Sequence, residues 1–379
     1  MHHDQRCRPC LGRWSVVVAV RAPIALALFA LVAAAGSARA AVLTVGIGQD
    51  YATLAAAVAA AQDHDTINVI AGTYLDQTAT INKPLTIQGV GGTPVFTATT
   101  SLANRKGFLV VNADLTVNNI TFSNAWISDA DGANGAGIRY QAGTLVVSNS
   151  SFIGNQSGIL ATPGIAGTGS VLVQSSVFLD NGVASGPRAG FEHAIYATQL
   201  AVLTVEDSRF EGTLVGHDIK SRAAITVIEG NYLDDGVTGT TSYAIDLSNG
   251  GVGTIIGNTI VQGPNTQNST MISYAAEGFA YATNSLLVKG NLFVNSRTGG
   301  SYGVANNSQG IVEVCCNAFD GVDTPTYGPV DFVDNVIGPD LPACAAVPEP
   351  ASLLLFLAGS AVLGGVVRRR RAADAIIRP

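Results

Sequence analysis

The chain has 379 residues, 47% of them apolar and only 12% charged, with 43 glycines and a formal net charge of −7. That apolar fraction excludes a disordered tail, and so few charges beside so much glycine exclude a helical bundle. Residues 1–40 and 347–379 hold 10 of the 20 basic residues and 3 of the 27 acidic ones, which leaves 10 against 24, a net −14, for residues 41–346. A body that acidic repels nucleic acid, and this partner class is set aside.

The first forty residues read as an export signal. Arg6, Arg8, Arg13 and Arg21 form a basic front, Ile24–Ala35 an apolar run, and Ala38-Arg39-Ala40 a small-x-small cleavage site, so a mature chain is predicted to begin at Ala41. Cys7 and Cys10 leave with this signal. The mature chain then carries Cys315, Cys316 and Cys344 into an oxidising compartment.

Next, Asp50 is placed to cap a short helix in which Leu54, Val58 and Ala61 share one face. Strands are predicted at Thr66–Ile70 and Leu85–Ile87. From Val117 onward one six-residue pattern recurs: an apolar residue, any residue, then Asn, Gly, Ser or Asp in third place, usually Asn or Ser in fourth, any residue, and a large apolar residue in sixth. It ends at Phe122, Phe152, Phe178, Phe210, Leu233, Ile260, Phe293 and Phe319, at spacings of 23 to 33 residues. This is the signature of a solenoid with uneven loops. The sixth place supplies an interior apolar column. The fourth supplies a ladder of Ser150, Ser176, Ser208, Asn231, Asn258, Asn291 and Asn317 at a tight bend, where Asn tolerates left-handed backbone.

The segments QDYATLAAAV, DTINVIAGTY and KPLTIQG ahead of these repeats resemble the pectin lyase-like right-handed parallel β-helix family, from about Val45 to Cys344. The resemblance implies an all-β, single-stranded right-handed parallel β-helix over residues 41–346 with a short N-terminal capping helix. It does not specify the chemistry, because this fold hosts lyases, hydrolases, epimerases, adhesins and proteins without catalysis.

A second column can be aligned between the repeats. Its central Ile or Val is expected inward, and the next position, Arg139, Leu160, Tyr196, Lys220, Asp246, Ser273 and Ala305, outward. In GHDIKSRA, Gly216–Ala223, the residues Asp218, Lys220 and Arg222 alternate and are expected to leave one face, with Tyr196 and Asp246 on either side of Lys220. Two of the body's ten cations thus fall within three residues. Cleaving a uronate polysaccharide by β-elimination requires a cation at the carboxylate, a base for the α-proton and a donor for the leaving oxygen. The resemblance implies Lys220 and Arg222 as base or charge stabiliser. Tyr196 is placed to donate a proton, and His217 to act as acid or base. Asp218, Asp246, Arg139 and His193 are the substrate-binding candidates.

Each assignment has a plainer counterpart. Asp beside Lys on adjacent rungs makes an ordinary surface ion pair, and His193 and His217 stack in one column with Tyr243, where packing is the simpler role. Asp129 and Asp131, in DADGANG, are the Ca²⁺ candidates, Ca²⁺ being the one cofactor considered; they lack the closing Glu of an EF-hand, and a plain Gly/Asp loop fits as well. Two other functions fit the same chain: a non-enzymatic polysaccharide-binding, structural or adhesive β-helix, and a glycoside hydrolase using Glu192 with Asp180 or Asp234 with Asp235. One of Cys315 and Cys316 is expected to pair with Cys344, leaving one thiol.

The chain closes with Val347-Pro348-Glu349-Pro350, an apolar run Ala351–Val367 and the block Arg368–Arg371. As a helix the run would reach about 25 Å, near the lower limit for crossing a bilayer, with residues 372–379 as a cytoplasmic tail. These three parts, residues 347–371, resemble the PEP-CTERM sorting signal of Gram-negative bacteria. That resemblance implies exosortase as a partner, a transient membrane anchor, and delivery to the cell surface or the extracellular polysaccharide, where a monomer is expected.

Overall fold

The computed structural model describes residues 40–345. The predicted export signal up to residue 39 and everything from residue 346, including the apolar run and the arginine block, lie outside the described residues. The body is all-β, with three parallel sheets of 12, 11 and 10 strands and very little helix. Each coil crosses the sheets in the same order. One runs through Thr144–Ser148 in the first sheet, Ser151–Ile153 in the second and Ser157–Ala161 in the third, and returns to the first at Thr168–Gln174. Every strand therefore pairs with its counterpart one coil away, as in Val147 with Val173, Phe152 with Phe178 and Ile159 with Ile195. This arrangement is a parallel β-helix.

The two strands predicted early in the chain run Asp65–Ile70 and Leu85–Val90. A helix spans Leu54–Ala60 and packs on strands Val42–Val45, Asp65–Ile70 and Ala79–Ile81. Its N-cap is Thr53, whose Oγ1 accepts from the Ala56 amide, rather than Asp50. Asp50 lies one turn too early and instead accepts from the Thr44 hydroxyl at 2.7 Å.

The corner between the first and second sheets explains the repeat. Its third place, not its fourth, takes the left-handed backbone, with φ of 49° at Asn149, 48° at Ser175 and 59° at Cys316, which is why Asn, Gly and Asp recur there. The fourth place is freed to bond along the stack. Each Asn from Asn231 onward uses Oδ1 to accept from the coil before it, and Asn335 extends the ladder one rung past Asn317. The sixth-place side chains are fully buried, with Phe152, Phe178 and Phe210 stacked at 4.7 and 4.6 Å between ring centres.

Cys316 and Cys344 form a disulfide with a Cα separation of 5.6 Å across 28 residues. Cys316 occupies the left-handed corner, whereas Cys315 ends strand Val312–Cys315, is buried, and remains a free thiol whose pKa is pushed up by burial. Replacing Cys344 by serine is expected to lower the unfolding free energy by about 2–4 kcal/mol in a denaturant titration. In the native protein Cys315 should react with a thiol reagent only after unfolding.

Candidate functional site

On the third sheet, Ile138, Ile159, Ile195, Ile219, Ile245, Ile272 and Val304 make one fully buried column. The position after each forms a neighbouring column, in which Leu160 pairs with Tyr196, Tyr196 with Lys220, Lys220 with Asp246, and Asp246 with Ser273. Arg139 belongs to the same column, three strands or roughly 14 Å from Lys220.

The charges on this column interlock. Lys220 Nζ lies 3.2 Å from Asp246 Oδ2 and 3.5 Å from Glu277 Oε1. Arg222 holds Glu277 with two bonds, Nε to Oε2 at 3.0 Å and Nη2 to Oε1 at 2.6 Å, and its guanidinium sits 5.3 Å from the Tyr196 ring centre. This pairing with Arg222 holds the Glu277 carboxyl below its ordinary range. Asp246 is buried; its Oδ2 also accepts from the Ser248 hydroxyl at 2.5 Å, while its Oδ1 and the Ser273 hydroxyl are buried without protein partners. Burial raises the Asp246 carboxyl, and Lys220 offsets part of that rise.

Glu277 and Tyr281, whose hydroxyl donates to the Arg222 carbonyl at 2.6 Å, are the members that the repeat alignment misses. Both belong to the irregular segment Ala275–Asn284, which lies between strands and outside the periodic pattern. One signal was available: Glu277 is the only acidic residue between Asp246 and Glu313.

The histidines take the packing role. Their rings stack at 4.6 Å and 9°; His193 Nδ1 accepts from the His217 amide at 2.9 Å, and His217 Nδ1 from the Tyr243 amide at 3.1 Å. With both Nδ1 lone pairs engaged, each neutral ring carries its proton on Nε2, and that of His217 points to Asp246 Oδ2, 3.6 Å away. Burial first, then Lys220, lowers the His217 pKa to about 3. His217 therefore has neither a lone pair free to take a proton nor an imidazolium to give one at neutral pH. His193 is buried too, which removes it from substrate contact.

Asp218 departs from the expected face. The strand starts only at Ile219, so the alternation does not reach back to Asp218, which is 2% exposed and accepts from the Thr213 hydroxyl at 2.6 Å. Burial, then the nearby Asp235, push its pKa well above the ordinary 3.8. A carboxyl with a raised folded pKa favours the native state at low pH and loses that contribution as the pH rises. Asp218→Asn is therefore expected to raise Tm by several degrees at pH 7, and the gain should fade as the pH drops toward 4, where the unfolded carboxyl takes up its proton. His217 has the opposite sign: native stability is lost as the pH falls from about 6.5 toward 3.

The remaining candidates are engaged elsewhere. Arg139 Nη2 donates to the Asn134 side chain at 2.9 Å and carbonyl at 3.2 Å. Glu192 is buried, paired with Arg188 at 2.5 Å and bonded to Ser157, and Asp235 is buried and bonded to Thr266, so neither proposed hydrolase pair faces solvent together. Asp129 and Asp131 form a short 3-10 turn in which Asp131 pairs with Arg105 at 3.3 Å and accepts from Ser128 at 2.8 Å. Among the described residues, the one cluster of metal-ligand types is Cys316, Asp334 and Cys344, and its two sulfurs form the disulfide.

Residues 346–371 match the PEP-CTERM protein-sorting motif. The chain carries an envelope-sorting signal. The motif marks an exported protein sorted to the cell envelope and implies exosortase processing. Among the described residues no helix is long and apolar enough to cross a membrane. Comparison with curated proteins finds no match. The fold is similar to that of an alginate lyase from Paenibacillus sp. strain FPU-7, with a TM-score of 0.58 at 15% identity over 78% of this chain and 99% of that one. An alginate lyase of family PL6 gives 0.45 at 14% identity over 79% of this chain and 40% of the other, and a pectin methylesterase from Aspergillus niger gives 0.34 at 13% over 82% and 88%. At such identities the first likeness speaks to fold alone, and scores below 0.5 add nothing to it.

Proposed function

We propose that the protein acts on extracellular acidic polysaccharide as a lyase cleaving uronate linkages by β-elimination. One observation carries this reading: Arg222 and Lys220 already hold a carboxylate, that of Glu277, in a two-point fork. A uronate carboxylate in that fork would have its charge offset, which acidifies the adjacent C–H. Lys220 serves as the base once its ammonium has passed a proton to Asp246 Oδ2, 3.2 Å away; the neutral amine then takes the α-proton, the electron pair forms the new C=C bond as the C–O bond breaks, and Tyr196 gives a proton to the departing oxygen. Asp246 orients Lys220, and the Ser248 hydroxyl holds Asp246. The alginate lyase likeness is compatible with this chemistry.

A second reading, a polysaccharide-binding scaffold without turnover, is favoured by the neutralised state of the cations, each of which already has a carboxylate partner. Ultraviolet absorbance of the purified protein with alginate, polygalacturonate and a glucuronate polymer, with Ca²⁺ and with chelator, separates the two. Absorbance growing with time reports unsaturated uronate ends and supports the lyase. A flat trace with every polymer, where binding is retained, leaves the scaffold.

A further inference from the structure

Glu277 sits where a ligand carboxylate would sit. Its two oxygens take Nε and Nη2 of Arg222, and Oε1 also faces Lys220. A fork of this kind is how a guanidinium recognises any carboxylate. The side chain remains 43% exposed, so it is not a buried structural counter-charge. Its segment is tied down by separate bonds: the Glu277 amide to the Ser248 carbonyl at 2.8 Å, the Ala280 amide to the Asn249 carbonyl at 3.0 Å, and the Tyr281 hydroxyl to the Arg222 carbonyl. Lys220 keeps Asp246 whatever Glu277 does, whereas among the described residues Arg222 has Glu277 as its sole carboxylate partner.

A ligand carboxylate reaches Arg222 only by replacing Glu277. Exchanging one carboxylate for another on the same fork gains little, since each charge-assisted bond lost is matched by one formed. Glu277 also has the advantage of being tethered, which gives it a high effective concentration. A single uronate therefore does not displace it. Linked uronates add contacts elsewhere along the column, such as over the Tyr196 ring beside Arg222, that Glu277 cannot match. We propose that Glu277 is a specificity-determining residue that admits polymeric uronates to Arg222 and Lys220 and refuses monomeric ones. The inference rests on reading this pair as the site for a uronate carboxylate.

Calorimetric titration of the wild-type protein, Glu277→Gln and Glu277→Ala tests it, with galacturonate and mannuronate as monomers and polygalacturonate and alginate as polymers. The wild type is expected to bind polymer and not monomer. Both variants should bind monomer, with affinity raised by roughly 10- to 100-fold, the size of one charge-assisted bond. Monomer binding equal in the wild type and Glu277→Ala, with polymer binding intact, overturns the filter and leaves the site reading standing. No binding of any uronate, polymer included, by all three proteins overturns both.

Discussion

Replacing Lys220 by alanine is expected to lower turnover on an acidic glycan by about 10²- to 10⁴-fold, the usual contribution of a positioned proton-transfer group. It should also destabilise the fold, because Lys220 is the close partner of the buried Asp246 at 3.2 Å. Removing one member of a buried ion pair leaves an uncompensated charge, a cost of about 3–5 kcal/mol unless the carboxyl takes up a proton. Loss of activity in the single variant is therefore ambiguous. The double variant Lys220→Ala/Asp246→Asn resolves it, since an asparagine oxygen still accepts from Ser248 while the buried charge is gone. Its Tm should return toward wild type and its turnover should not. Recovery of both would reduce Lys220 to a structural counter-charge.

Asn258→Ala is expected to cost as much stability as any change in the body. Asn258 Oδ1 accepts from the amide and side-chain nitrogens of Asn231 at 2.9 and 3.0 Å, and its Nδ2 reaches the carbonyls of Ile228 and Ile256 and Oδ1 of Asn291 at 3.0, 3.1 and 2.9 Å. Alanine strips these partners at a buried corner where water cannot replace them. With about 1–3 kcal/mol for each buried donor left unsatisfied, a loss of about 3–5 kcal/mol is expected in a denaturant titration. Asn258→Ser should lose much less, because the ladder already uses serine: Ser176 Oγ accepts from the Ser150 amide at 3.2 Å and donates to the Gln174 carbonyl at 2.9 Å. Equal losses for alanine and serine would mean that the ladder contributes by shape rather than by hydrogen bonding.

What could be read from the chain divides along physical lines. The Phe column and the Asn ladder were legible because each coil must present the same position to its neighbours. The same periodicity placed Tyr196, Lys220 and Asp246 side by side. Alternation failed at Asp218, since it holds only inside a strand and the strand begins at Ile219. Glu277, 55 residues from Arg222, escapes the periodic pattern because its segment has no counterpart in other coils. The proton positions on His193 and His217 depend on backbone donors supplied by the next coil, and no sequence pattern records those. Between Cys315 and Cys316 the choice fell to the corner geometry, which no spacing rule distinguishes.

The proposed chemistry requires Arg222 and Lys220 to recognise the carboxylate of a glycan. The decisive comparison is the binding of a polyuronate against that of the same polymer after its carboxylates are reduced to alcohols, using the wild-type protein and Arg222→Ala. Binding of the acidic polymer alone, lost in Arg222→Ala, is the predicted result. Equal binding of both polymers, or full retention in Arg222→Ala, would contradict it.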